Sequence, residues 1–313
     1  MQTEGPSRTA LHTAAARAAH LIVDGEPVVF RDPFAYPLLG ECAEHYVRLH
    51  REAADHPVVA ALRAAVVTRS RYTEDRLAAA VRRGVRQYVI LGAGLDTYAC
   101  RSAASGQSGS VEVFEVDHPD TQRWKREALA RAGIPEPPLL TYVPADMEAG
   151  ESLADRLVAH GFDLARPAFA SWLGVTVYLT REAVARTLAG LGRLAPGSEI
   201  VMDHLLPEDL RGPRARAYAE TLMPLVAQGG EPWLTFLSPR EAADLLEEHG
   251  FEVVEQVVEQ VVEQVAGQVA GQVAGQVAGQ VAGRDAADAA FRERADALAG
   301  SGISVITHAR RKA

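Results

Sequence analysis

An open α/β fold, with a doubly wound and mainly parallel sheet covered by helices on both faces, is predicted by three observations. After Gly84, short runs rich in β-branched residues alternate with polar turns and helical stretches, the pattern of a parallel sheet with crossover helices. The first run ends directly in a Gly-x-Gly turn, Gly92-Ala93-Gly94. The chain of 313 residues, 48% hydrophobic and 23% charged, is long enough to bury a large core without staples.

Residues 1–84 are Ala- and Arg-rich with helical spacing: Leu62, Val66 and Val67 form one stripe, with Arg63, Arg69, Arg71 and Arg76 among the polar positions. Pro27, Pro33, Pro37 and Pro57 divide this region into short helices joined by turns, as expected of a helical cap. Residues 85–313 carry the sheet. Its strands are read at Gln87–Leu91, Val111–Val116, Leu139–Val143, Ala168–Leu173 and Glu199–His204, then Phe251–Val258 and Ile303–Arg310. Thr121–Ala132, Ser152–His160 and Arg181–Leu194 are crossover helices, the last stopped by Ala195-Pro196-Gly197. Leu206–Trp233 is a mostly helical insertion. Ser238 and Pro239 are the N-cap and first position of a helix that ends at Gly250.

Glu255–Ala282 consists of seven tetrapeptides, two EQVV, one EQVA and four GQVA. A four-residue period drifts about 40° per repeat on an α-helix, so valine cannot keep one face over seven repeats. Each glycine also costs roughly 1 kcal/mol relative to alanine in a helix. The tract is read as an expansion in a surface connection, with an oligomerisation element and a substrate lid as alternatives.

Composition narrows the function. With 32 Lys and Arg against 41 Asp and Glu the net charge is −9, which disfavours general nucleic-acid or anionic-membrane binding. Only Cys42 and Cys100 occur, and no Cys/His cluster suggests a metal. No membrane-spanning run is present, and the expected location is the cytoplasm.

The chemistry-bearing motifs follow the strands. Gly92 and Gly94 sit where a doubly wound sheet binds nucleotides, although many βα turns carry two glycines, and Thr97 takes the place of the third fingerprint glycine. The acids of Val113-Phe114-Glu115-Val116-Asp117 close the next strand about 20 residues on, the spacing at which a carboxylate accepts both ribose hydroxyls of an adenosine-containing ligand. Alternatively such an acid caps the following helix. Asp146 follows the third strand, where an aspartate is either a turn residue or a contact to an adenine amino group.

Taken in order, six segments resemble the leucine carboxyl methyltransferase superfamily, in its bacterial branch of class I S-adenosylmethionine-dependent O-methyltransferases of polyketide and natural-product type. They are Thr68–Tyr72, LGAGLDT at 91–97, EVDHP at 115–119, AD at 145–146, SWLGVTVYLT at 171–180 and GEPWLTFLSP at 230–239. The resemblance covers most of the chain. It implies a Rossmann-like class I methyltransferase sheet of seven strands, the last antiparallel. It also implies S-adenosyl-L-methionine as cofactor and a small-molecule acceptor, and it leaves the oligomeric state open. By position, Arg69 would reach the methionyl carboxylate, while Gly92 and Gly94 would let the loop lie against the methionyl portion. Asp117 would hold the ribose and Asp146 would lie near adenine, with Asp96, Met147 and Leu173 as further cofactor-binding positions.

Leu173-Gly174 stands where many relatives carry Glu-Gly, so an acid is missing there, and Tyr98 stands where arginine is common. A carboxylate acceptor needs no base. A hydroxyl acceptor is helped by one, for which His204 is the candidate, with Tyr178 a candidate pocket residue. Two other readings account for parts of the chain. An NAD-dependent oxidoreductase is opposed by the missing third glycine, whereas a non-catalytic methyltransferase-like scaffold draws on Leu173 and the repeats.

Overall fold

The computed structural model describes residues 7–26, 28–106, 111–258 and 300–313. Most of the tetrapeptide tract, residues 259–282, therefore lies outside the described residues, and only Glu255–Val258 falls within them, as the end of a strand.

Seven strands form one sheet: β1 (Gln87–Leu91), β2 (Glu112–Asp117), β3 (Leu140–Pro144), β4 (Ala168–Trp172), β5 (Glu199–Leu205), β6 (Phe251–Val258) and β7 (Ser304–Arg311). Their order is β3-β2-β1-β4-β5-β7-β6. The first five pair in parallel, and β7 runs antiparallel to both β5 and β6. This is the predicted class, with every strand within two residues of its expected bounds. The strands were legible because burial on both faces demands continuous apolar runs: β1 and β4 are buried throughout.

Helices cover both faces. Val89, Leu91, Phe114, Val116, Ile200 and Met202 face α7 (Leu153–Ala159), α8 (Arg181–Leu191) and α10 (Pro239–Glu248). Tyr88, Ile90, Val113 and Val201 face Leu77 and Ala80 of α4 (Pro57–Arg82) and Ala99 of α5 (Tyr98–Ala104). Ahead of α4 come α1 (Arg8–Val23), α2 (Ala35–Leu39) and α3 (Ala43–Glu52), and α6 (Pro119–Arg131) follows β2. Leu11, Ala15, Ala18, Leu38 and Val47 of the first three pack on Leu95, Cys100 and Leu129. This alanine-rich contact lets α1 lie close over the loop after β1.

The N-terminal region is helical as expected, and Pro57 separates α3 from α4, but α4 is not short: it runs for 26 residues with Pro57 at its first position, where the missing N–H has no partner to lose. Pro37 divides nothing and lies within the five-residue α2. In 206–233 the regular structure is a 3-10 turn at Glu208–Leu210 and α9 (Pro213–Gln228), which accommodates Pro224. Ser238 caps α10 in a full capping box with Glu241, as the Ser-Pro-Arg-Glu signature predicts. No described helix is long and apolar enough to cross a membrane.

Candidate active site

In the sheet order β1 lies between β2 and β4, so the chain turns in opposite directions after β1 and after β4. That divergence opens a crevice at the carboxyl edge. The glycine turn fills its floor. Gly92 and Gly94 have φ of +62° and +51°, a region open mainly to glycine. The Gly92 N–H donates to Val116 O at 2.8 Å, and the Gly94 N–H donates to Asp117 Oδ2 at 2.6 Å. Asp117 Oδ1 accepts from the His118 N–H at 2.7 Å. Burial, the largest influence on Asp117, still holds its carboxyl above the usual carboxylate range.

Arg69 comes from α4. Its Nη1 donates to Asp203 Oδ2 at 2.9 Å, and Asp203 Oδ1 accepts the Gly174 N–H at 2.6 Å. The guanidinium lies directly on Gly174, where a Cβ would stand 2.5 Å from Nη2. From α1, Arg17 donates to Leu95 O at 2.6 Å and to Asp32 at 2.8 Å, tying the cap helix to the glycine turn. Glu74 and Arg101 form a two-pronged pair at one wall, and burial raises the Glu74 carboxyl.

Two cavities meet over this floor. The first, about 490 Å³, is lined by Arg69, Gly92, Gly94, Asp96, Asp117, Met147, Leu173 and Tyr178. The second, about 680 Å³, lies between α1, α4 and α9 and is mostly apolar. Thr9, Thr13, Arg69, Gly174, Tyr178 and Glu231 line both. The structure thus gathers eight of the ten sequence-derived site residues around one cavity.

The other two stand elsewhere. Asp146 is exposed and outside that lining; its Oδ1 accepts the Glu148 N–H at 2.9 Å, the turn role that competed with adenine binding. His204 borders the second cavity, but both ring nitrogens are engaged, Nδ1 with Leu237 O at 2.8 Å and Nε2 with Thr307 Oγ1 at 3.3 Å. Burial lowers its pKa. The ring braces the segment before α10 against β7, so a role as base would first require releasing one of these bonds. Of the two strand acids, Glu115 turns away to Lys125 of α6.

Sequence reading passed over Asp203, Glu231 and Glu74. For Asp203 a signal existed, an acid inside the buried strand run Ile200-Val201-Met202-Asp203. Glu231 lies in the GEPW segment but meets its partner 222 residues away, beyond any local pattern.

Residues 10–192 match the leucine carboxyl methyltransferase family. The chain belongs to this family. Among curated members it is 32% identical over 276 residues to YktD of Bacillus subtilis (strain 168), which is named as an S-adenosyl-L-methionine-dependent methyltransferase; the match covers 82% of this chain and 89% of that one. A similarly named protein of Mycobacterium marinum is 32% identical over 254 residues, covering 78% and 82%. Two solved structures share the family's fold with this chain, each at a TM-score of 0.57. One is a Thermobifida fusca YX protein named as a methyltransferase, at 20% identity and covering 100% of this chain and 97% of that one. The other is a duf574 family protein of Streptomyces avermitilis, at 21% identity and covering 96% and 97%.

Proposed function

We propose that this chain transfers the methyl group of S-adenosyl-L-methionine to an oxygen of a small, largely apolar acceptor, a metabolite of the polyketide or natural-product kind, in the cytoplasm. The observation that carries the reading is the joined pair of cavities, one floored by the glycine turn and Asp117 and the other apolar. Both volumes fall in the range of small-molecule sites, roughly 300–1,000 Å³.

The first cavity suits the cofactor. At Gly92 a Cβ would stand 2.3 Å from Val175 Cγ2, so only glycine lets the backbone lie this flat beneath a ligand. Asp117 would take the ribose hydroxyls, Arg69 the methionyl carboxylate through a planar pair of donors, and Met147 with Leu173 the apolar wall. Gly94 and Asp96 complete the floor. Asp146 would need its turn to swing inward to reach adenine. When bound, the cofactor supplies an electrophilic methyl carbon on a sulfonium. The protein's part is to bring the acceptor oxygen onto that carbon in line and to keep water out. Tyr178, at the junction, has its hydroxyl pKa pushed up by burial and receives the Trp233 Nε1–H at 3.4 Å, so it serves as a protonated orienting donor.

Calorimetric titration with S-adenosylmethionine, S-adenosylhomocysteine and NADH tests the reading. Micromolar binding of the first two is expected, at least about 100-fold weaker in Asp117→Ala, since a bidentate charged contact is worth several kcal/mol. Preference for NADH, or no binding to the folded protein, would refute it.

A further inference from the structure

The charges around the apolar cavity constrain the acceptor more closely than its volume does. Of the arginines there, Arg69 is paired with Asp203 and, in the reading above, turned to the cofactor's carboxylate, and Arg8 is exposed at the rim. The carboxylates of Asp203 and Glu231 also border the space. A carboxylate acceptor would therefore be desolvated with no unpaired buried cation among the described residues to receive it and with the Glu231 carboxylate facing it, Asp203 being matched by Arg69. A neutral hydroxyl meets neither penalty, but it must lose a proton during transfer.

The proton acceptor has to stand where the two cavities join, because the acceptor oxygen must touch both the base and the methyl carbon. Among the titratable side chains of the described residues only Arg69, Tyr178 and Glu231 line both cavities. Arginine cannot take a proton at neutral pH, and a buried phenol is a donor. Glu231 remains. Its Oε2 accepts the Thr9 backbone N–H at 2.9 Å and the Thr9 hydroxyl, in the first turn of α1, where a helix favours negative charge. Among the described residues Oε1 makes no hydrogen bond.

Building on the methyl-transfer reading above, we propose that the acceptor is a neutral hydroxyl compound with an apolar body, and that Glu231 is the catalytic residue that takes its proton. The O–H bond breaks with the proton passing to Oε1. The O–CH₃ bond forms as the bond from methyl to sulfonium breaks, its electron pair staying on sulfur. The proton then leaves to solvent.

The test uses 2-naphthol, which emits from its ionised form when a proton acceptor adjoins the hydroxyl and from its neutral form when sealed in an apolar site. In the presence of S-adenosylhomocysteine, the wild-type complex should show the naphtholate band. Glu231→Gln, which still offers an oxygen to Thr9, should bind 2-naphthol within threefold of wild type and lose at least tenfold of that band. Glu231→Asp, with its carboxylate retained, should keep part of it. 2-Naphthoate should bind at least tenfold more weakly than 2-naphthol. Tighter naphthoate binding, no naphtholate band in wild type, or a band that persists in Glu231→Gln overturns the proposal. Persistence there with loss in His12→Ala would move the base to His12, which also lines the apolar cavity. Calorimetry with S-adenosylhomocysteine separates the two readings. If wild type does not bind it, methyl transfer itself fails; if it binds without ionising naphthol, only this inference fails.

Discussion

At Gly92 the backbone conformation and the contact with Val175 make one demand between them. Replacing it by alanine strains a residue at φ +62° and drives a methyl to 2.3 Å from Val175 Cγ2. We expect Gly92→Ala to lose about 1–3 kcal/mol in urea unfolding and to weaken S-adenosylhomocysteine binding at the same time; unchanged values of both would refute the cradle. His50 of α3 is a second residue on which burial makes a demand. It is fully buried, neither ring nitrogen has a hydrogen-bond partner, and burial together with Arg63 pushes its pKa down to about 4 from 6.5. The unfolded chain therefore binds a proton between pH 6.5 and 4 that the folded chain refuses. The stability is fully present above pH 6.5 and is lost as pH falls through 4, by at most about 3 kcal/mol. His50→Leu should flatten that acid limb in urea titrations at pH 7 and 4.5, and parallel limbs would count against the assignment.

At the scale of elements, the site depends on how α6 is seated against β2. Glu115 and Lys125 make a salt bridge of 2.5 Å with side chains 2% and 1% exposed. Burial outweighs the lysine and pushes the Glu115 carboxyl up to about 7. Because Asp117 lies two residues further along the same strand, this pair helps set the end of β2 that cinches the glycine turn. Lys125→Met should cost about 3–5 kcal/mol, since it strands a buried acid, whereas Glu115→Leu with Lys125→Met should recover most of the loss. Equal losses in the single and double variants would argue against the pairing. The cap is joined to the loops above the sheet by hydrogen bonds instead, Arg17 donating to Leu95 O and Thr9 to Glu231.

For the whole molecule, the antiparallel β7 explains how a long low-complexity segment is carried. Val258 at the end of β6 pairs with Val305 near the start of β7, so the chain leaves and re-enters the sheet at one place. Loop-closure entropy varies only with the logarithm of length, and roughly halving the connection changes it by about 0.6 kcal/mol. Excising residues 259–282 should therefore move Tm by less than about 4 °C and leave S-adenosylhomocysteine affinity unchanged. A larger loss, or a change of oligomeric state in solution, would favour the alternative roles of the repeat.

By itself the sequence determined the alternation of strands and helices, the antiparallel end of the sheet through its family resemblance, and the residues that sit at strand ends: Gly92, Gly94, Asp96, Asp117 and Leu173. These are legible because burial writes continuous apolar runs and because turns after strands demand particular residues within a few positions. Tertiary structure alone decided the pairs that span the chain. Arg69 meets Asp203 across 134 residues and Thr9 meets Glu231 across 222. The exposure of Asp146 and the two hydrogen bonds of the His204 ring likewise follow from packing and not from local pattern. A local pattern carries backbone propensity and the face of an element, whereas the partner of a side chain depends on which elements the strand order brings together.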